Sequence, residues 1–155
     1  MGYTTDFDGS FTVTPTLTED DRVFLEKFSR TRRMARNVGP EYGVDGEFYV
    51  FGKGWAGQDH DETIIDYNRP PRTQPGLWCQ WVPTEDGNEI EWEGGEKFYD
   101  YVEWLEYLIE KILAPRGYTL NGTVFWQGEE DSDRGKIVAT NNVVKTKRAR
   151  LVYDD

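Results

Sequence analysis

A single cysteine, Cys79, in 155 residues excludes an internal disulfide and suits a reducing compartment. One histidine, His60, leaves too few imidazoles for a catalytic zinc site. Cationic residues are scarce too: 18 Lys and Arg stand against 29 Asp and Glu, a formal net charge of −11. Phosphate backbones and anionic membranes are held by Lys and Arg, so no direct nucleic-acid or membrane partner is expected. No apolar run reaches the roughly 20 residues that cross a bilayer. Met1-Gly2 is followed by Asp6 where N-myristoylation requires Ser or Thr. These absences point to a cytoplasmic protein. What the chain has in excess is aromatic: six Trp, nine Tyr and eight Phe. Each such side chain buries about 150–250 Å², enough to fill the core of one domain spanning 1–155 despite the polar average.

The cleanest patterning lies between Pro75 and Glu130. Leu77 to Pro83 and Asn88 to Glu93 alternate apolar and polar residues around Asp86-Gly87, a strong hairpin signal. With Asp86 and Gly87 as turn residues, Trp81 faces Trp92; a four-residue loop pairs Trp81 with Ile90 instead. Either register puts Cys79, Trp81, Ile90 and Trp92 on one side, expected to be core, and Gln80, Val82, Glu91 and Glu93 on the other.

After Gly94-Gly95 the spacing predicts a helix ending at Ala114-Pro115-Arg116-Gly117. Phe98, Tyr101, Val102, Leu105, Leu108, Ile109 and Ile112 form its apolar stripe. The opposite face carries Glu96, Asp100, Glu103, Glu106 and Glu110, dotted by Tyr99 and Tyr107, with Trp104 toward one flank. Like charges at i, i+4 cost about 0.2–0.5 kcal/mol per pair, so the buried stripe must hold this helix. The acidic face is either solvated surface or a site for a protein with a basic surface, in which Glu96, Tyr99, Asp100, Glu103, Tyr107 and Glu110 are the candidate contacts.

At the N-terminus Tyr3, Thr5, Phe7, Phe11 and Val13 alternate as a strand, with a bulge or bend at Asp8-Gly9. Thr18 and the acidic Glu19, Asp20 and Asp21 open a first helix, given an apolar side by Phe24, Leu25, Phe28 and Met34. Lys27, Arg30, Arg32, Arg33 and Arg36 crowd its second half, a cationic cluster that can neutralise the helix end, pair with the acidic helix or hold a phosphate or carboxylate.

Residues 37–76 form a long Gly- and Pro-rich loop region broken by a predicted strand at Glu47 to Phe51. Gly52-Lys53-Gly54-Trp55-Ala56-Gly57 matches G-x-G-x-x-G, but the polar Gln58-Asp59-His60-Asp61-Glu62 that follows is unfit to be a sheet-packing helix, which argues against a dinucleotide fold. As a ligand loop, Gly52, Gly54, Trp55 and Gly57 join Arg69, Arg72 and Trp78 as candidate contacts to a small nucleotide-like anion, by stacking and bidentate Arg contacts. No metal site is expected. Asp59 to Glu62 are adjacent and cannot all face one ion, and Glu129 to Asp133 lack the Gly and Glu spacing of a calcium loop. Cys79 lies on the expected core face, where a thiol is inert, and no residues combine into a catalytic site. No cofactor is expected.

Tyr118, Leu120, Val124 and Trp126 share one face of a strand interrupted near Asn121-Gly122; Lys136 to Thr140 and Val143 to Lys147 flank an Asn141-Asn142 turn, and residues 145–155 form a basic tail. The order strand, helix, strands, helix, strands predicts an α+β fold: an antiparallel or mixed sheet with two main helices on one face, a ferredoxin-like sandwich with additions. The Met1-Gly2-Tyr3-Thr4-Thr5 opening, the run Pro75-Gly76-Leu77-Trp78-Cys79-Gln80-Trp81, the segment Gly95-Glu96-Lys97-Phe98-Tyr99-Asp100-Tyr101 and Gly128-Glu129-Glu130 resemble small proteins of bacteria and their phages. The resemblance implies a cytosolic accessory protein, carried by a phage, and brings no activity and no catalytic residues with it. Two function classes follow: a non-enzymatic protein-binding or inhibitory module using the acidic face, and a small-ligand binder using the loop.

Overall fold

The computed structural model describes residues 2–51, 58 and 62–154. Its main sheet has six strands, β1 (Asp6–Thr14), β4 (Trp81–Pro83), β5 (Glu89–Trp92), β6 (Thr119–Gln127), β7 (Arg134–Thr140) and β8 (Val143–Arg148). They are ordered β4-β5-β1-β6-β7-β8, and every neighbouring pair is antiparallel. Helix α1 (Glu19–Arg30) connects β1 to the β4–β5 hairpin and α2 (Tyr101–Leu108) connects β5 to β6. Strands β1, β4, β5 and β6 with the two helices thus have ferredoxin-like order, to which β7 and β8 add a hairpin beside β6. Both helices pack on one sheet face. A small second sheet pairs β2 (Ala35–Arg36), just before the long loop region, with β3 (Ile64–Asp66) inside it.

The core follows from alternation. Phe11, Val13, Ile90, Trp81, Leu120, Val124, Ile137 and Ala139 all point to the helical side and are buried, where they meet Leu25 and Phe28 of α1 and Leu105 and Leu108 of α2. Each fully buried Leu, Ile or Phe contributes about 1.5–3 kcal/mol. Phe7 is the hub of an edge-on aromatic cluster, with Tyr101 at 4.9 Å, Trp92 at 5.3 Å, Trp81 at 5.5 Å and Phe98 at 5.7 Å between ring centres. Such T-shaped pairs match each ring's positive edge to the next ring's negative face.

The hairpin register is the one in which Trp81 faces Trp92. Its turn lies one residue earlier than expected: Gly87 N–H donates to the Thr84 carbonyl, so Glu85 and Asp86 are the central pair and Gly87 follows in the left-handed region. Gln80 departs from the expected outer face; it is buried, accepting from the Trp92 indole and donating to the Glu96 carbonyl. The Asn141-Asn142 turn holds, both residues at positive φ. Neither glycine site interrupts a strand. β1 and β6 pair without a slip from Asp6–Gln127 to Thr14–Thr119, so Asp8-Gly9 is no bulge and β6 runs through Asn121-Gly122. Gly122, at φ 146, is needed because a Cβ there would lie 2.8 Å from the Ser10 carbonyl oxygen.

Other expectations are corrected. Thr18 caps α1, accepting from Asp21 N–H, but the helix ends at Arg30, so Met34 is buried beyond it. Residues 47–51 form no strand. The second helix starts at Tyr101, because Lys97 and Asp100 have positive φ that breaks helical geometry, and a π-turn over Ile109–Leu113 extends it toward Gly117. Glu96, Tyr99 and Asp100 therefore precede the helix. Trp104 and Tyr107 are buried against Phe28, at 5.8 and 6.3 Å between ring centres, so Tyr107 is no contact on an exposed acidic face. α2 is covered on two sides, by the sheet and by α1, which a single-stripe reading does not anticipate. Residues 145–148 belong to β8 rather than to a tail.

Candidate functional site

Where α1 ends, Thr31 turns the chain extended at φ −96, ψ 122. Its hydroxyl donates to the Lys27 carbonyl and accepts from Phe51 N–H. Successive side chains of an extended segment point to opposite sides, so Arg32 and Arg33 diverge. Arg33 goes inward and is held by the Gln74 side-chain oxygen at 2.9 Å and the carbonyls of Tyr49 at 2.5 Å and Gly46 at 3.0 Å. Its guanidinium also lies 4.0 Å from the Phe28 ring centre. Burial without a partner carboxylate pushes it down to about 10. Arg36 is buried as well and stacks 4.4 Å from the Tyr49 ring. The cationic cluster expected on α1 is thus partly a set of internal struts for the long loop region.

Arg32 goes outward. Its Nε donates to the Tyr67 carbonyl at 3.0 Å, and its guanidinium lies 4.0 Å from the Tyr67 ring centre and 6.0 Å from that of Trp78. Gln58 fixes the backbone beneath, accepting from Arg32 N–H and donating to the Arg30 carbonyl. Arg33 N–H donates to the Leu77 carbonyl, which brings the pre-hairpin segment and Trp78 alongside. Among the described residues nothing hydrogen-bonds to Nη1 or Nη2 of Arg32, so the outer edge of this guanidinium fork is unused.

This edge lines an open pocket of about 590 Å³ with Ser29, Gln58, Tyr67, Trp78, Gln80, Glu93, Gly95 and Glu96. A second pocket, about 540 Å³, shares Trp78, Gln80 and Glu96 and continues past Pro70, Pro75, Lys97, Tyr99 and Asp100. At the first pocket Ser29 Oγ donates to Glu93 at 3.4 Å. Partial desolvation pushes the Glu93 carboxyl up from its ordinary range, against the Ser29 hydrogen bond and Arg30. The pocket therefore offers a cation, two aromatic faces and carboxylate acceptors.

Of the ligand contacts expected from sequence, Trp78 lines both pockets. Arg69 and Arg72 are exposed and line neither; Arg69 approaches Asp66 at 3.8 Å. Gly52, Gly54, Trp55 and Gly57, with Asp59, His60 and Asp61, lie outside the described residues. Sequence reasoning carried the candidate ligand loop as far as Gln58 but missed Tyr67 and the separate role of Arg32; the available signal was the alternation that follows once a helix stops before Thr31. Of the acidic-face contacts, Glu96, Tyr99, Asp100, Glu103 and Glu110 are exposed. Cys79 is fully buried, and desolvation pushes its thiol up to about 12, so it is not a nucleophile at neutral pH. Among the described residues no three His, Cys, Asp or Glu side chains group to hold a metal ion, and no helix is long and apolar enough to cross a membrane. Compared with protein-family models, with curated proteins and with solved structures, the chain finds no match.

Proposed function

We propose that the protein binds a small planar anion, without catalysis, in the pocket between Arg32 and Trp78. The observation that carries this reading is the free outer edge of Arg32. A guanidinium already stacked on Tyr67 and tethered through Nε has little freedom left to lose when it takes a phosphate or carboxylate as a fork. Trp78 supplies a stacking face, and Glu93 and Glu96 accept from amino or ring N–H groups at the other end. A nucleotide combines these groups. The pocket volume falls within the range of about 300–1,000 Å³ that small-molecule sites occupy.

A thermal-shift panel tests it. A nucleotide at 100 times its Kd stabilises by about 2.7 kcal/mol, which at roughly 2–4 °C per kcal/mol raises Tm by about 5–10 °C. The rise disappears in Arg32→Ala. Phosphorylated sugars, which lack a stacking face, give a smaller shift or none. A panel that moves nothing overturns the reading.

A second reading is a protein-binding or inhibitory module. It is supported by the exposed carboxylates Glu96, Asp100, Glu103, Glu106 and Glu110, none of which forms an ion pair among the described residues, and by Tyr99, 52% exposed beside them. Uncommitted charge around an aromatic is suited to steering and anchoring a basic partner. Glu103→Lys with Glu110→Lys then weakens capture of such a partner while leaving stability unchanged; intact capture removes this reading.

A further inference from the structure

The sheet face turned away from the helices is divided by charge along β6. On one side stand four carboxylates, Asp6 and Asp8 on β1 and Glu89 and Glu91 on β5. On the other stand four cations, Arg134 and Lys136 on β7 and Lys145 and Lys147 on β8. Pairing registers put them in rows: Asp8, Phe125, Lys136 and Lys147 lie side by side, as do Asp6, Gln127 and Arg134. Phe125 is 55% exposed at the centre, within an open concavity of about 630 Å³. Adjacent strands are about 4.8 Å apart, so the intervening β6 separates each Asp from its row's cation. Among the described residues none of these eight charged groups forms an ion pair.

We propose that this face docks a second copy of the chain across a two-fold axis running along β6. Such an axis keeps each row in place and exchanges its two ends. Asp8 then comes over Lys136 of the second copy, Asp6 over Arg134, the outer acidic strand over the outer basic one, and Phe125 meets its own equivalent. A two-fold axis running across the strands would instead lay acid on acid and base on base, so charge selects one of the two face-to-face arrangements. Aligned sheets pack about 10 Å apart, a gap that long Lys and Arg side chains can bridge. Exposed ion pairs each contribute little and are screened by salt, so the dimer is of modest affinity and salt-labile.

Sedimentation of the full chain at low ionic strength is expected to give a species of twice 18.0 kDa, falling to monomer at high salt. Two variants locate the interface: Asp6→Lys with Asp8→Lys leaves β1 and β7 both basic on this face, and Arg134→Glu with Lys136→Glu leaves both acidic. Each alone is expected to be monomeric, and an equimolar mixture to form the heterodimer, which also shows that both are folded. A wild type that stays monomeric at low salt overturns the proposal, whatever other protein that face takes. So do variants that still dimerise singly, and a mixture that does not associate.

Discussion

Arg32 and Arg33 are neighbours in the chain and stand in opposite environments: one caps an aromatic ring at the pocket rim, the other is fully buried over Phe28 with three carbonyl oxygens around it. The divergence follows from the extended turn at Thr31, and it separates a structural role from a functional one. Arg33→Ala leaves the Gly46, Tyr49 and Gln74 acceptors unmet, at a cost of about 3 kcal/mol or more in denaturant unfolding. Arg32→Ala, half-buried and losing one hydrogen bond and one stacking contact to Tyr67, costs less, about 1 kcal/mol. Equal effects on stability would contradict this division.

The Asn141-Asn142 turn yields an asymmetric prediction. Both residues occupy the left-handed region, which glycine adopts more readily. Only Asn142 has a side chain bonded across the sheet, accepting from Leu120 N–H and donating to the Tyr118 carbonyl. Asn141→Gly is therefore near neutral, while Asn142→Gly destabilises by about 1–3 kcal/mol; thermal unfolding of the two variants side by side distinguishes them.

Leu105 of α2 is fully buried in the core shared by the sheet and α1. Leu105→Ala is expected to cost about 2–5 kcal/mol in a denaturant titration. A loss well below that would mean the helix is not seated as described.

Stability also depends on pH through Cys79. Burial raises the thiol from its ordinary 9.0 to about 12, so above pH 9 the unfolded chain has released a proton that the folded chain keeps. Stability then falls as pH rises through 9, by at most about 1.4 kcal/mol per unit. Arg33 acts in the other direction from about pH 10 upward, since the folded state releases its proton first. The thiol effect is thus cleanest between pH 9 and 10. Cys79→Ala should flatten the slope there, and an unchanged slope would refute the assignment.

The α+β class, the helical side of the sheet and the Asn-Asn turn were legible because each rests on period-two alternation or on turn chemistry, both local, whereas alternation left two hairpin registers open, of which the structure has Trp81 opposite Trp92. The failures share a cause in tertiary packing. Trp104 and Tyr107 looked peripheral on a helical wheel, yet α1 covers that side of α2. Arg33 looked like surface charge, but it satisfies the backbone carbonyls of Gly46 and Tyr49, which belong to no strand. The pocket joins Ser29, Gln58, Tyr67, Trp78 and Glu93 from distant parts of the chain, and of these only Trp78 was named beforehand as a stacking contact.

Binding of a planar anion between the Arg32 fork and the Trp78 face is read out by heteronuclear NMR during nucleotide titration. The Arg32 Nε and Trp78 indole N–H signals are expected to shift together and saturably, while Arg33 Nε, buried on the other side of the same backbone, stays in place. Saturable shifts confined to other residues, or no shift at any nucleotide tested, would contradict it.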